Sequence, residues 1–542
     1  MRSNELLMVI GRWKRLSCLQ KNHAKTTLFG AGQQARDSLQ PSFATSRCST
    51  IAHFTTTATK DCGKKENDND TTIEAVFCFH RHGDRTPGKP LVAEDQARDE
   101  AAFWRTKIPP KSYHTLLCER FPIVKGGKSD VPFKDASGGN ESYGFLTQKG
   151  MDQMYRVGVA MANRYGDSSS STDASTSSSF RENWEIRSCR STNYLRTVWS
   201  CQAFLFGLLT TEQHQVNKSE NEPSMPLTNL GRSTSNHNDQ DGAFGVVDIA
   251  VMPALNAFDA SPQLLKKLVT DVWATADFIE MDQRGRPLAE ELIKYIPGLL
   301  QHSSSSTSPS GGVSINWIHA SDHFVCRSSH DVPIDRFCPH LLRKEEGINS
   351  DEKNRQIQSL VFNRLKEETL SHLSRRFHGY YSNQALLGEI AGPALWEVIQ
   401  EMKCIAMGSH EEAKHTKKPF YVYSCHDVTI LALLYAIQNN HSVRNGQIIP
   451  PNWPTYATCL VLELVKKRKS TDATTIRSRS QSTFVVKAYL HSTVPQQTTT
   501  QIVFAKDSHK KFNSPSLEIN LEEFIDLVQK LNASRVAVED IE

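Results

Sequence analysis

Ile73-Glu74-Ala75-Val76-Phe77-Cys78-Phe79-His80-Arg81-His82-Gly83-Asp84-Arg85-Thr86-Pro87 is the stretch from which the rest of this 542-residue chain can be read. Val76 to Phe79 is a short apolar run rich in aromatic and branched residues, which predicts a buried strand. The run stops in Arg-His-Gly-Asp-Arg-Thr-Pro, where Gly83 and Pro87 predict a tight loop. A histidine between two arginines thus stands at the carboxyl end of a strand, the edge at which open α/β sheets take their ligands. Arginine offers a planar fork of donors and a permanent charge, so Arg81 and Arg85 suit a dianionic phosphate. An imidazole nitrogen of His82 can then attack phosphorus.

Two later stretches repeat this layout. Residues 184–189 predict a strand that delivers Arg190-Ser191-Thr192-Asn193-Tyr194-Leu195-Arg196-Thr197, followed by a helix through Trp199, Phe204, Leu205 and Leu208. The Ser191 and Thr192 hydroxyls suit a helix amino terminus, whose free N–H groups favour an anion. Residues 420–425 predict a third buried strand that stops at His426-Asp427, with a buried helix from Val428 onward. Asp427 also fits the amino-terminal cap of that helix, a role compatible with catalysis.

The seven residues Arg81 to Pro87, the Arg-Ser-Thr…Arg-Thr pattern and His426-Asp427, in that order, resemble the histidine acid phosphatase family, branch 2 of the histidine phosphatase superfamily. Leu146-Thr147-x-x-Gly150 is similar to a segment downstream of that family's signature. Asn193-Tyr194-Leu195 and Trp453-Pro454-x-Tyr456-Ala457 look like its lysophosphatidic acid phosphatase branch. The resemblance spans about residues 73 to 531, broken by insertions. It implies an α/β fold, with a mixed, mostly parallel central sheet flanked by helices and an inserted, mainly helical cap lobe. It also implies phosphomonoester hydrolysis with no metal and no cofactor. His82 is the nucleophile, Arg81, Arg85, Arg190 and His426 hold the phosphate, and Asp427 is the proton donor. Arg196 reads as structural, bound to a carboxylate or a helix end. These distant segments must converge on one tetrahedral anion at His82 for the reading to hold. The implied substrate is a small-molecule phosphomonoester, lysophosphatidic acid or a similar lipid phosphate. The alternatives are a broad-specificity or phytase-like acid phosphatase, a sugar-phosphate phosphatase, and a non-catalytic phosphate-binding pseudophosphatase.

Composition frames these expectations. Hydrophobic residues at 38% and charged residues at 23% are ordinary for a globular enzyme. Residues 1–60 carry nine Lys/Arg against Glu5 and Asp37, while the whole chain has a formal charge of +4, so the body is slightly acidic and no nucleic-acid partner is expected. The basic, Ser/Thr-rich leader reads as a transit peptide, mitochondrial first, with plastid and secretory destinations as alternatives. Residues 1–70 are therefore read as leader and 71–542 as the phosphatase domain, with the cap lobe near 243–414. Solvated, disordered insertions are expected near 167–179, 215–242, 303–312 and 466–482. The longest apolar run outside the leader, 428–437, is too short to span a bilayer, leaving peripheral membrane contact as the only membrane association expected. The 12 scattered cysteines read as reduced thiols; in a secretory compartment, pairs such as Cys189–Cys201 or Cys326–Cys338 could oxidise. His319, His323, Cys326 and His330 invite a zinc reading by spacing, but no CxxC pair accompanies them. Asp322, among them, is placed on a polar strand-to-helix turn facing the pocket.

Overall fold

A computed structural model describes residues 71–92, 97–125, 142–166, 180–210, 247–252, 262–301, 315–333, 351–408, 416–438, 442–444, 447–449, 453–468, 483–492, 498–502, 504 and 516–539. The leader, and the insertions expected at 167–179, 215–242 and 303–312 with most of 466–482, lie outside the described residues.

From the amino terminus the elements are β1 (Thr71–Arg81), α1 (Arg98–Arg105), α2 (Lys111–Arg120), β2 (Ile123–Lys125), α3 (Gln148–Gly166), α4 (Phe180–Asn183), β3 (Trp184–Thr192), α5 (Leu195–Thr210) and β4 (Ile249–Met252). A helical stretch follows: α6 (Pro262–Trp273), α7 (Ala276–Tyr295), α8 (Gly298–Gln301), α9 (Trp317–Ser329), α10 (Asp351–Ser382) and α11 (Gln384–Met407). The chain then returns through β5 (Lys418–Cys425), α12 (Asp427–Gln438), β6 (Ser442–Arg444), β7 (Gln447–Ile449), β8 (Cys459–Lys467), β9 (Thr483–Ser492), β10 (Thr498–Gln501), β11 (Glu518–Asn520) and α13 (Leu521–Glu539).

The main sheet runs β10-β9-β8-β1-β5-β3-β4-β2, with β11 also on β9. Strands β1, β5, β3, β4 and β2 are parallel, and β8 to β11 extend the sheet antiparallel from β1. This is the mixed, mostly parallel α/β sheet expected. β1 and β5 are buried on both faces, hence their unbroken apolar runs. On one face Phe77 stacks on Tyr421 and Phe79 on Tyr423, at 4.5 and 4.3 Å between ring centroids, under an apolar layer to which α11 and α12 contribute. Side chains alternate across a strand, so Val76, Cys78, Phe420 and Val422 face the other way, into a core shared with α3 and α5.

Several features are not apparent from the sequence. Residues 111–120 form α2. Pro287 lies inside α7, as Pro393 lies inside α11; in α7, burial of Phe278, Ala289 and Leu292 in one core outweighs the lost backbone hydrogen bond. Residues 317–329 form α9: Asn316 caps it by accepting from the N–H groups of Ile318 and His319, so Asp322 sits within a helix rather than on a turn. The short parallel strands β2 and β4 extend the sheet where no strand is apparent from periodicity. The region expected as a cap shares its apolar core with the sheet, running from Leu264, Leu268 and Phe278 through Leu386 and Leu395 to Phe77. The eight cysteines among the described residues are free thiols, and none of the described helices is long and apolar enough to cross a membrane.

Candidate active site

β1, β5 and β3 end at nearly one level, because Arg81 lies beside Cys425 and Ser191 beside Ser424 in the ladder. The residues that follow each strand therefore emerge side by side. The signature loop is fixed to α5, to α3 and to the residue before α3 by polar contacts at close range. The Gly83 N–H donates to Ser200 Oγ (3.1 Å), the Asp84 N–H to Gln153 Oε1 (2.8 Å) and the Thr147 N–H to the Asp84 carbonyl (3.0 Å). The buried Asp84 carboxylate accepts from the Thr147 hydroxyl (2.5 Å) and from His330 Nε2 (2.6 Å). A Cβ at Gly83 would stand 2.1 Å from the Gly150 carbonyl oxygen, and one at Gly150 would stand 2.1 Å from that of Asp84. Two backbones touch here, which explains both the Gly of Arg-His-Gly and the Gly of Leu-Thr-x-x-Gly.

His82 is buried, and its Nδ1 lies 2.8 Å from the Gly83 carbonyl. A carbonyl only accepts, so Nδ1 carries the hydrogen and Nε2 keeps its lone pair for attack. Burial, then the charges of Arg196 and Arg81, the His426 ring and Arg85 hold the imidazole well below its ordinary pKa, so it stays neutral in acid. His426 lies 5.5 Å away, ring to ring, and is likewise pushed down by burial, Arg196, Arg85 and Arg81. Its Nε2 meets Thr192 Oγ1 at 3.1 Å, and Arg196 Nη2 approaches its Nδ1 at 3.5 Å. Because a guanidinium cannot accept, Nδ1 is the acceptor and Nε2–H the donor to Thr192.

His82, Arg85, Arg196, His426, Asp427 and Asp322 line one cavity of about 90 Å³, together with Lys89, Tyr194, Ile318 and His319 among others. Arg85 presents Nη2 to both Asp322 oxygens, each at 2.6 Å. Arg81 sits behind the cavity, pairing through Nη2 with Asp427 Oδ2 (2.9 Å) and donating from Nη1 to the Pro454 carbonyl (2.6 Å). The Nε–H groups of Arg81, Arg85 and Arg196 are buried without a hydrogen-bond partner among the described residues. Three positive groups with unspent donors around one neutral imidazole form a receptor for an oxyanion.

The expectation for Arg190 is corrected here. Its Nη1 pairs with Glu397 Oε2 on α11 at 2.6 Å, and it is absent from the cavity wall. Arg190 lies in register with Tyr423, which is level with Phe79, three residues before His82. At about 3.3 Å per residue that is about 10 Å short of His82. Arg196, expected to be structural, takes the position instead, from the first turn of α5, over the Tyr194 ring at 4.1 Å. Burial and the neighbouring Arg85 lower its pKa to about 10 against the raising influence of Tyr194, Asp322 and Asp427. The signal was in the sequence: the second arginine of Arg-Ser-Thr…Arg-Thr falls at a helix start, the one place in that segment with free N–H groups for an anion.

Residues 453–458, which carry a motif but no assigned role in the sequence, pack against the site residues from behind the cavity. Trp453 Nε1–H donates to Asp427 Oδ2 (3.1 Å), the Tyr456 ring lies 4.3 Å from the Arg81 guanidinium carbon, and the Ala457 N–H donates to the His82 carbonyl (3.2 Å). The donors of the zinc reading turn to different neighbours: His323 to Arg327, Cys326 to the Tyr456 hydroxyl and His330 to Asp84.

The chain is similar to known proteins over most of its length. The family model for the histidine phosphatase superfamily (branch 2) matches residues 72–491. A Caenorhabditis elegans protein that carries the name acid phosphatase 5 is 23% identical over 406 residues, 74% of this chain and 68% of its own. Lysophosphatidic acid phosphatase type 6 of Bos taurus is 22% identical over 404 residues, 73% of this chain and 74% of its own. Among solved structures, the Bifidobacterium longum multiple inositol polyphosphate phosphatase in complex with inositol hexasulfate aligns over 86% of this chain and 94% of its own. Its sequence identity is 10% and its TM-score 0.45.

Proposed function

Because the chain belongs to branch 2 of the histidine phosphatase superfamily, and with it to the phosphoric monoester hydrolases, we propose that it cleaves its ester through a phosphohistidine at His82. The observation that carries this reading is the neutral His82 imidazole, its Nδ1–H fixed on Gly83 and its Nε2 free, in a cavity it shares with Arg85, Arg196 and His426. Nε2 attacks phosphorus in line as the phosphorus–oxygen ester bond breaks, dividing one difficult displacement into two. Arg85, Arg196 and Arg81, with the His426 ring, offset the charge that builds on the non-bridging oxygens. Asp427 gives its proton to the departing alkoxide and then takes one from the water that cleaves the phosphohistidine.

The substrate we favour is lysophosphatidic acid or a similar lipid phosphate, and the site would sit in mitochondria, to which the basic leader points. Two things support the substrate: the named bovine relative and the apolar edges of Tyr194 and Ile318 in the cavity wall. A kinetic panel tests it, comparing lysophosphatidic acid of several chain lengths with inositol hexakisphosphate and a sugar phosphate. The expected result is a kcat/KM that rises with acyl length; a preference for inositol hexakisphosphate would reject the lipid reading. Phosphoenzyme trapped by a denaturing quench at alkaline pH, which survives base and not acid and is lost in His82→Ala, tests the intermediate.

A further inference from the structure

Asp427 is held by three donors from three directions. The Val428 N–H donates to Oδ1 (2.9 Å), while Oδ2 receives both Arg81 Nη2 (2.9 Å) and Trp453 Nε1–H (3.1 Å). The two partners of Oδ2 differ in what an incoming substrate does to them. Arg81 can turn from the carboxyl to an incoming phosphate, whereas an indole N–H has a single hydrogen and stays with the carboxyl.

Trp453 is also well anchored. Its ring meets Phe377 edge to face at 5.1 Å, and the next residue's carbonyl accepts from Arg81 Nη1 at 2.6 Å. Four residues on, Ala457 adopts φ 58°. An L-residue with a side chain rarely holds this left-handed backbone, and it persists only where the surroundings over-determine it. The same residue's N–H bonds the His82 carbonyl, so one short segment touches the nucleophile's backbone and the acid's side chain together.

We propose that Trp453 is a positioning residue for the acid: its indole N–H pins Asp427 Oδ2 so that the lone pair vacated by Arg81 carries the proton towards the leaving oxygen. This rests on the reading of Asp427 as proton donor. In the step concerned, the His82 Nε2–phosphorus bond forms and the phosphorus–oxygen ester bond breaks. The proton passes from Oδ2 to the ester oxygen, and the resulting carboxylate keeps the indole as a donor. The other titratable or charged groups facing Asp427 are Arg81, Arg196, the Tyr381 hydroxyl, the Cys425 thiol and the adjoining His426. None of them is altered by a change at position 453.

Trp453→Phe keeps an aromatic ring against Phe377 and deletes only the donor. The expected result is a fall of about tenfold in kcat/KM for an alkyl phosphate such as glycerol 3-phosphate, with p-nitrophenyl phosphate changed by less than about twofold, since its leaving group needs little protonation. Trp453→Gln, which restores an N–H without the ring, should recover most of the alkyl-to-aryl ratio. Equal slowing of both esters by Trp453→Phe overturns the proposal, as does a folded Trp453→Gln no better than Trp453→Phe. Asp427→Asn on the same two esters separates the two readings: equal slowing of both by that variant defeats Asp427 as the acid, whereas selective slowing of the alkyl ester there with an unmoved ratio in Trp453→Phe defeats only the role of Trp453.

Discussion

The loop 81–87 and the segment 190–197 each carry two arginines after a strand, yet they use them differently. In the loop both arginines lie at or beyond the strand's last residue, and both guanidiniums reach the cavity or a residue that lines it, Arg81 through Asp427 and Arg85 in the cavity wall itself. In the segment the first arginine is still inside β3, and its side chain turns to Glu397 beside the Tyr423 hydroxyl. Only the second, at the start of α5, arrives. Residue type therefore does not decide which arginine binds; its height in the ladder does, and one residue of strand is worth about 3.3 Å.

The largest effect bears on the first region. His82→Ala should lower kcat by at least about 10⁴-fold and leave no trappable phosphoenzyme, since the remaining groups can bind but not attack. Residual turnover near the native rate would dissolve the contrast altogether. The next test sets the two arginines of the second region against each other. Arg196→Ala should cost about 10²- to 10³-fold in kcat/KM, as expected for deleting one donor to a developing oxyanion. Arg190→Ala should change it by less than about threefold, because its partly exposed ion pair with Glu397 contributes at most about 1 kcal/mol to stability. The reverse order would restore Arg190 as the ligand.

A third measurement concerns the strand between them. Asp427→Asn should slow alkyl phosphates about tenfold or more beyond aryl phosphates; equal slowing of both would remove Asp427 as the acid. The smallest effect is on stability. Burial lowers the pKa of His80, inside the signature strand, to about 4, and burial likewise lowers His491 to about 4 and His372 to about 3. Their folded pKa values lie below the unfolded reference of about 6.5, so the unfolded chain binds protons first as the solution is acidified. Stability from these groups is complete above about pH 6.5 and is lost as pH falls through about 4. Thermal unfolding midpoints should drop steadily across that window; a flat profile would show that the three rings are not buried as neutral groups.

Much of the fold was open to a reader of the sequence. β1 and β5 announce themselves because strands covered on both faces need uninterrupted apolar residues, and 76–79 and 420–425 supply them. Their ends, at His82 and at His426-Asp427, could be placed because a polar, glycine-containing or capping residue follows at once. β2 and β4 escaped because strands of three and four residues show no periodicity to count. Trp453 and Tyr456 escaped as site residues for a different reason. An indole or phenol ring in an apolar context reads as core, and only contact with Asp427 and Arg81 gives it another function.

The order of the residues fixed the chemical inventory: a histidine, several arginines and an Asp placed just after strands can only converge at a sheet's carboxyl edge. Local rules sufficed for this, since burial pattern, loop formers and caps act over a few residues. The sequence carried only a hint, the helix start, of which of Arg190 and Arg196 meets the anion, and it left open what holds Asp427 and where Asp322 points. Those depend on parallel register and on helix packing between segments more than 200 residues apart, such as Arg85 with Asp322. No local preference encodes such distances; they exist only once the chain has folded.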